Sequence, residues 1–314
     1  MSASPVVLIN CYYYAPHNHC LLSRHLAEDL RFIRELGADA ISVCVQEDQL
    51  VNWHQQRLRN VVALAHRHGL QVFAVPNRWA GLVAGWLDGL SRWTLAHADA
   101  LIPSRKASGC CDPRHPQVRR HFEETLRVMF SQYDFDGLVW DEPRPAEEAV
   151  IGLLDEMSAL ARELKPGLVV SLFAEAGNLD LAPSLARTRH IDYLGADGHL
   201  RRESHRMHRM KNTIFTTHAA FAPVLRAAGK KTVFLLEAQR HRDEDLDEYL
   251  AVVDRAFDLA MDQLMFYFSA HEMSLDNEDA FNRATWNAVR RVAQRRWNFR
   301  GPFGILDSRR ADVQ

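Results

Sequence analysis

Two short segments place acids where an acid is hard to accommodate. In Asp134-Phe-Asp-Gly-Leu-Val-Trp-Asp-Glu-Pro143 an apolar run breaks off into Asp141, Glu142 and a proline. Proline has no amide hydrogen to give to a ladder, so a strand must stop there. In Thr232-Val-Phe-Leu-Leu-Glu-Ala-Gln239 the carboxyl of Glu237 follows four apolar residues. Such a group must be paired, hydrogen-bonded or hydrated. Two carboxyl groups brought together from distant segments are equipment for acid and base work. The charge of one ionised acid raises the pKa of the other, which then holds a proton near neutrality. Each segment also has a purely structural reading. Asp141 or Glu142 could face the positive end of a helix dipole, and Glu237 could pair with Arg240 or Arg242.

Acids so far apart in the chain need a scaffold that carries them to one place. Short apolar, β-branched runs alternate with longer helical patterns along the chain, which is the signature of βα units and a parallel sheet. The strand candidates are residues 6–14, 40–46, 71–76, 137–141, 168–174, 191–196, 232–237 and 263–269. Between them, Leu26, Leu30 and Ile33 fall on one helical face before Gly37, and Leu58, Val62 and Ala65 do so before Gly69. Glycine there accepts the left-handed turn that ends a helix. Pro116 opens a helix carrying Val118, Phe122, Leu126 and Met129, and Val150, Leu153, Met157 and Leu160 form a further stripe before Gly167. The expected fold is α/β, a single-domain (β/α)8 TIM barrel over residues 1–300 with a loosely packed tail at 301–314, and an open doubly wound sheet is the alternative. The connection 77–115 greatly exceeds the ~2–6 residues usual after a strand. It carries Trp79, Trp86 and Trp93, which could wall a cleft or pack on the barrel rim.

In a barrel of this kind the site lies where the strands end. Polar residues are dense there: Tyr13, His17 and His19 after the first strand, Glu47 and Asp48 after the second, Arg78 and Trp79 after the third. Asp141 and Glu142 follow with the fourth, Glu175 the fifth, Asp197 and His199 the sixth, Glu237 the seventh, and Tyr267, His271 and Glu272 the eighth. Carboxylates backed by aromatics suit a ligand rich in hydroxyl groups and flat apolar faces, which is a sugar. Glu142 and Glu237 could then be the two carboxyl groups that cleave a glycosidic bond, with Asp141, Asp197 and Glu175 holding hydroxyls. Trp79 could stack on a sugar face and Arg78 clamp a hydroxyl or carboxylate, or both could simply pack. Tyr13 and Tyr267 could bond the nucleophile, or fill the barrel with a satisfied hydroxyl.

These residues resemble glycoside hydrolases of the large retaining clan built on this barrel. There the fourth strand ends in Asn-Glu-Pro with an acid/base Glu, and the seventh ends in a nucleophilic Glu. Asp141-Glu142-Pro143 and Glu237 stand at the matching places. The resemblance implies a glycosidase with a two-carboxylate, retaining mechanism and a carbohydrate substrate. The stretch from Cys111-Asp-Pro-Arg-His-Pro-Gln-Val-Arg119 through Asp136-Gly137 also looks like a segment of poorly characterised glycosidase-like barrels. Two departures stand out: Asp141 replaces the expected Asn, and the eighth strand ends without the usual tryptophan. A rival arrangement resembles retaining α-glycosidases that take an Asp nucleophile from strand four and an Asp acid/base from strand six, which would promote Asp141 and Asp197.

Composition narrows the remaining classes. A formal net charge of -2 argues against a nucleic-acid binder that relies on a broad basic surface. The five cysteines have no metal-finger spacing and an odd count, so they read as thiols in a reducing compartment. The opening residues lack a basic and apolar leader pattern, and no apolar run approaches the ~18 residues of a membrane span. The expectation is a soluble cytoplasmic enzyme with no cofactor, no metal and no membrane partner. His17-Asn18-His19 resembles the His-x-His of barrel amidohydrolases and keeps a metal-dependent hydrolase open. So does a barrel that binds sugar without turning it over. The basic stretch 201–211 reads as a solvated helical face, or as a hint of an anionic sugar or a partner.

Overall fold

A computed structural model describes residues 8–13, 23–50, 55–84, 91–175, 178–199, 214–237, 246–268 and 279–300. Eight parallel strands close into a barrel in sequence order, and the last pairs with the first. They are β1 Leu8–Tyr13, β2 Ala40–Val45, β3 Gln71–Pro76, β4 Gly137–Asp141, β5 Val169–Ala174, β6 Tyr193–His199, β7 Lys231–Glu237 and β8 Gln263–Phe268. The expected TIM barrel is therefore present, and the open sheet is excluded by the β1–β8 pairing. Strands buried on both faces read as continuous apolar runs, which is why β3 and β4 begin and end where the sequence places them.

The sixth strand departs from expectation. Its apolar run ends at Ala196, yet the ladder to β7 continues through Asp197 opposite Leu235 and His199 opposite Glu237. Gly195 permits this approach, since a Cβ there would lie 1.8 Å from the Val233 carbonyl oxygen. Asp197 and His199 thus belong to the strand itself and not to the loop beyond it.

Alternate residues of the strands serve two separate cores. Tyr12, Cys44, Phe73, Val139, Phe173 and Leu235 pack with one another inside the barrel. Ile41, Leu138, Trp140, Leu172, Phe234 and Phe266 belong to the cluster under the helices. The lower interior is polar, with Ser42 donating to Asn10 at 3.0 Å and Ser171 donating to Gln263 at 3.0 Å, all four residues buried. Side chains fill the barrel, which makes it a packed core and not a pore.

The described helices are α1 Ser23–Glu35, α2 Gln55–Arg67, α3 Arg92–Ala96, α4 Pro116–Gln132, α5 Glu148–Leu164, α6 Ala182–Ala186, α7 Ile214–Ala227, α8 Leu246–Asp258 and α9 Asp279–Arg300. The stripes read from sequence are the faces they bury, including Leu26, Leu30 and Ile33 of α1 and Val118, Phe122, Leu126 and Met129 of α4. α4 starts at Pro116, and the His115 side chain accepts the amide hydrogen of Gln117. A proline at that place has no hydrogen bond to lose and a preset φ. No helix among the described residues is long and apolar enough to cross a membrane.

Candidate active site

The site is built on the way the chain leaves β4. Val139 lies inside the barrel, and Asp141, two residues on, falls on the same alternation with only 7% of its surface exposed. A buried carboxylate needs donors. Tyr12 supplies one, its hydroxyl donating to Asp141 Oδ2 at 2.7 Å. The Tyr12 ring is itself held, stacked on Tyr267 at 6.0 Å and edge-on to Phe173 at 6.2 Å. Cys44 completes the group from β2. Burial pushes its thiol well up, the negative charge of Asp141 pushes it further, and a hydrogen bond with Tyr12 opposes both. An un-ionised thiol there is inert, which fits a packing residue.

Glu142 is the residue at which the strand breaks. Its amide still donates to the Phe173 carbonyl at 3.0 Å, but its φ is +40°. A left-handed conformation is unfavourable by about 1–2 kcal/mol for a residue other than glycine, so neighbouring contacts must hold it. Those contacts are visible. Ala84 donates to the Asp141 carbonyl at 2.8 Å, Arg144 donates from its amide to the Leu82 carbonyl at 2.8 Å, and Arg78 donates to the Ala84 carbonyl at 3.2 Å. The segment after β3 therefore lies as a strap across residues 141–144. On this turn Glu142 Oε2 accepts a hydrogen bond from Arg144 Nη2 at 2.6 Å. Burial alone would push the Arg144 guanidinium down. The charges of Glu142, Asp141 and Glu175 outweigh it and leave the group raised.

That balance assigns the neighbourhood: Asp141, Glu142 and Glu175 share the field of one arginine that the sequence analysis did not single out. Its signal was available, as the basic residue in Glu142-Pro-Arg-Pro145 directly behind the two acids. The helix-start reading of Asp141 and Glu142 is excluded, because α5 begins at Glu148 with Glu147 before it. Glu175 follows β5, is half-buried, and its carbonyl accepts the amide of Asn178 at 3.0 Å. Asp197, on β6, is buried, with 2% exposure.

Other expectations need correction. The first strand contributes Tyr12 to the acid cluster, a residue that the sequence does not separate from its neighbour Tyr13. Tyr267 is placed by its stack on Tyr12, in keeping with either of its two readings. Trp79 is not a stacking platform: it is wholly buried, its indole donates to the Val45 carbonyl at 3.0 Å, and its ring meets Phe122 edge-on at 5.7 Å. Trp93 is likewise engaged in packing, lying parallel to His97 at 4.2 Å and to His121 at 4.5 Å. Glu47 serves this wall, accepting from His121 Nε2 at 2.8 Å and from the Ala80 amide at 3.3 Å. Arg78 sits half-buried on the strap with a φ of 59°. For Glu237 and His199 the register pairs their backbones at the ends of β7 and β6. The side chains of Tyr13, Asp48, His199 and Glu237, and the whole of Trp86, His17, His19, His271, Glu272, Arg240, Arg242 and residues 201–211 and 301–314, lie outside the described residues.

No family model matches the sequence. No curated protein matches it. Many solved structures share its fold. An endo-1,4-beta-mannanase from Rhizomucor miehei superposes with a TM-score of 0.66 at 10% identity over 94% of this chain and 97% of its own. The GH5_18 structure from Streptomyces cattleya in complex with GlcNAc gives 0.64 at 16% identity, covering 95% and 81%. The endo-beta-1,4-mannanase from Thermotoga petrophila gives 0.61 at 12% identity, covering 94% and 77%. At such identities the likeness is one of fold: a barrel shared with glycoside hydrolases, extending over nearly the whole chain.

Proposed function

We propose that this barrel is a glycoside hydrolase in which Glu142 and Glu237 cleave a glycosidic bond with retention of configuration. The observation that carries the reading is the exit of β4, where Asp141 and Glu142 gather with Glu175 around Arg144 at the end of the barrel that hosts sites in this fold. The fold shared with enzymes named as mannanases supports it. In this reading Glu142 protonates the leaving oxygen as Glu237 attacks the anomeric carbon. Glu142 then deprotonates the water that releases the sugar. Retention requires the two carboxyl groups to stand ~5–5.5 Å apart, against ~6.5–9.5 Å for inversion. Glu175 and Asp197 would hold hydroxyls, with Arg78, His199, Tyr13 and Tyr267 around them. The names of the similar structures make β-1,4-linked mannosides, and the Manb1-4GlcNAc bound in one of them, the first substrates to try.

A second reading has one observation in its favour. Asp141, and not Glu142, lies on the alternation that lines the barrel interior, as Asp197 does on β6. That is the pair a retaining α-glycosidase of the rival type would use.

A screen of aryl glycosides in both anomeric forms, with product configuration followed by NMR, tests both. Turnover of a β-glycoside with retained configuration, abolished in a folded Glu237→Gln variant, is expected. Full activity in that variant rejects the assignment. Turnover of α-glycosides alone, lost in Asp141→Asn, selects the rival pair, and sugar binding without any turnover leaves a binding protein.

A further inference from the structure

Two-carboxylate chemistry as stated leaves Arg144 without a role, yet the guanidinium is built against the proposed acid. The two residues stand either side of Pro143, and Pro145 follows, so ring-locked φ angles limit how far the turn can rearrange. The Arg144 backbone is pinned by its amide bond to the Leu82 carbonyl at 2.8 Å, which does not depend on its side chain. From that anchor Nη2 reaches Glu142 Oε2 at 2.6 Å, the length of a charge-assisted hydrogen bond. Only one oxygen of the carboxyl is engaged in that bond.

We infer that Arg144 is a positioning residue for the proton transfer: by holding Oε2 it orients Glu142 so that Oε1 carries the proton to the leaving oxygen. The inference rests on Glu142 being the acid/base of the proposed function. In the step, the Oε1–H bond breaks and its proton moves to the glycosidic oxygen. The bond from that oxygen to the anomeric carbon breaks with its electron pair going to the oxygen, and the aglycone departs as a neutral alcohol. Glu142 is left as a carboxylate facing a guanidinium. That interaction is stronger after the proton has left than before, which is the condition for an interaction to speed a step.

The test compares two aryl glycosides of one sugar: a dinitrophenyl glycoside, whose leaving group departs without a proton, and a phenyl glycoside, whose leaving group needs one. Arg144→Met should lose about tenfold to hundredfold in kcat/KM on the phenyl glycoside, the scale of one charge-assisted hydrogen bond. The ratio kcat/KM reads the step in which the leaving group departs, and not the later one in which Glu142 acts as a base towards water. The loss in kcat/KM on the dinitrophenyl glycoside should be much smaller, KM for the phenyl glycoside should be little changed, and Arg144→Lys should recover part of the loss. An equal loss in kcat/KM on both glycosides, or a loss confined to KM, overturns the inference. Circular dichroism checks the fold, and Arg144→Gln gives the same comparison if the methionine variant does not fold. Glu142→Gln separates the two levels of the argument. If that variant shows no dependence on the leaving group, Glu142 is not the acid and the proposed function fails with it. If it shows the dependence and Arg144→Met does not, the role given to Arg144 alone is wrong.

Discussion

At the exit of β3 the chain turns through Arg78 at φ 59° and Ala80 at φ 47°, and at the exit of β4 it turns through Glu142 at φ 40°. Both turns hold ordinary residues in a conformation that favours glycine. The first drives Trp79 into the wall between β2 and α4, where the indole finds the Val45 carbonyl and the edge of Phe122. The second leaves Glu142 partly exposed beside Arg144, over a buried Asp141 tied to Tyr12. An aromatic residue at a strand end has a stable alternative to function, because burial in the barrel wall is favourable in itself. A carboxylate has no such refuge unless a donor or a cation is provided for it. Acids at strand ends therefore point to a site more sharply than tryptophans do.

That contrast is open to attack by substitution. Glu142→Gln should reduce kcat by ~10²–10⁴-fold on a glycoside that needs leaving-group protonation, the usual range for an acid or base. Steady-state kinetics measures it, and a variant impaired only in stability would place Glu142 with the wall residues. Trp79→Ala should destabilise the fold by about 3–5 kcal/mol, as large aromatic truncations do, while the folded fraction keeps its KM. Denaturant unfolding with parallel kinetics checks both halves, and a raised KM at unchanged stability would return Trp79 to the sugar. Tyr12→Phe removes the donor to a buried carboxylate and should lower stability by about 1–3 kcal/mol, read from the same unfolding curves. Glu47→Gln weakens the bonds to His121 and the Ala80 amide and should lower stability by about 1 kcal/mol without touching kcat. A large kcat effect there would mean that the wall takes part in the chemistry.

The barrel was legible because its strands are buried on both faces and announce themselves as apolar runs bounded by glycine and proline. Where a strand is not apolar to its end, the reading stopped short. β6 runs on through Asp197-Gly-His199, past a close backbone approach at Gly195 that leaves no room for a side chain. Asp141 and Glu142 were legible from the abrupt end of their strand. Tyr12 was not distinguished from Tyr13, although alternation from Asn10 assigns it to the interior with Asp141. Arg144 was missed for another reason. Its partner is two residues away on a left-handed turn, a geometry that no periodicity reports.

Which carboxyl becomes bonded to the sugar decides between the two pairs of acids. Incubation with a fluorosugar bearing an activated leaving group, followed by proteolysis and mass spectrometry of the labelled peptide, reads this directly. The glycosyl group should be found on Glu237, with Glu142→Gln still labelled. A label on Asp141 would contradict the account and move the nucleophile to the fourth strand.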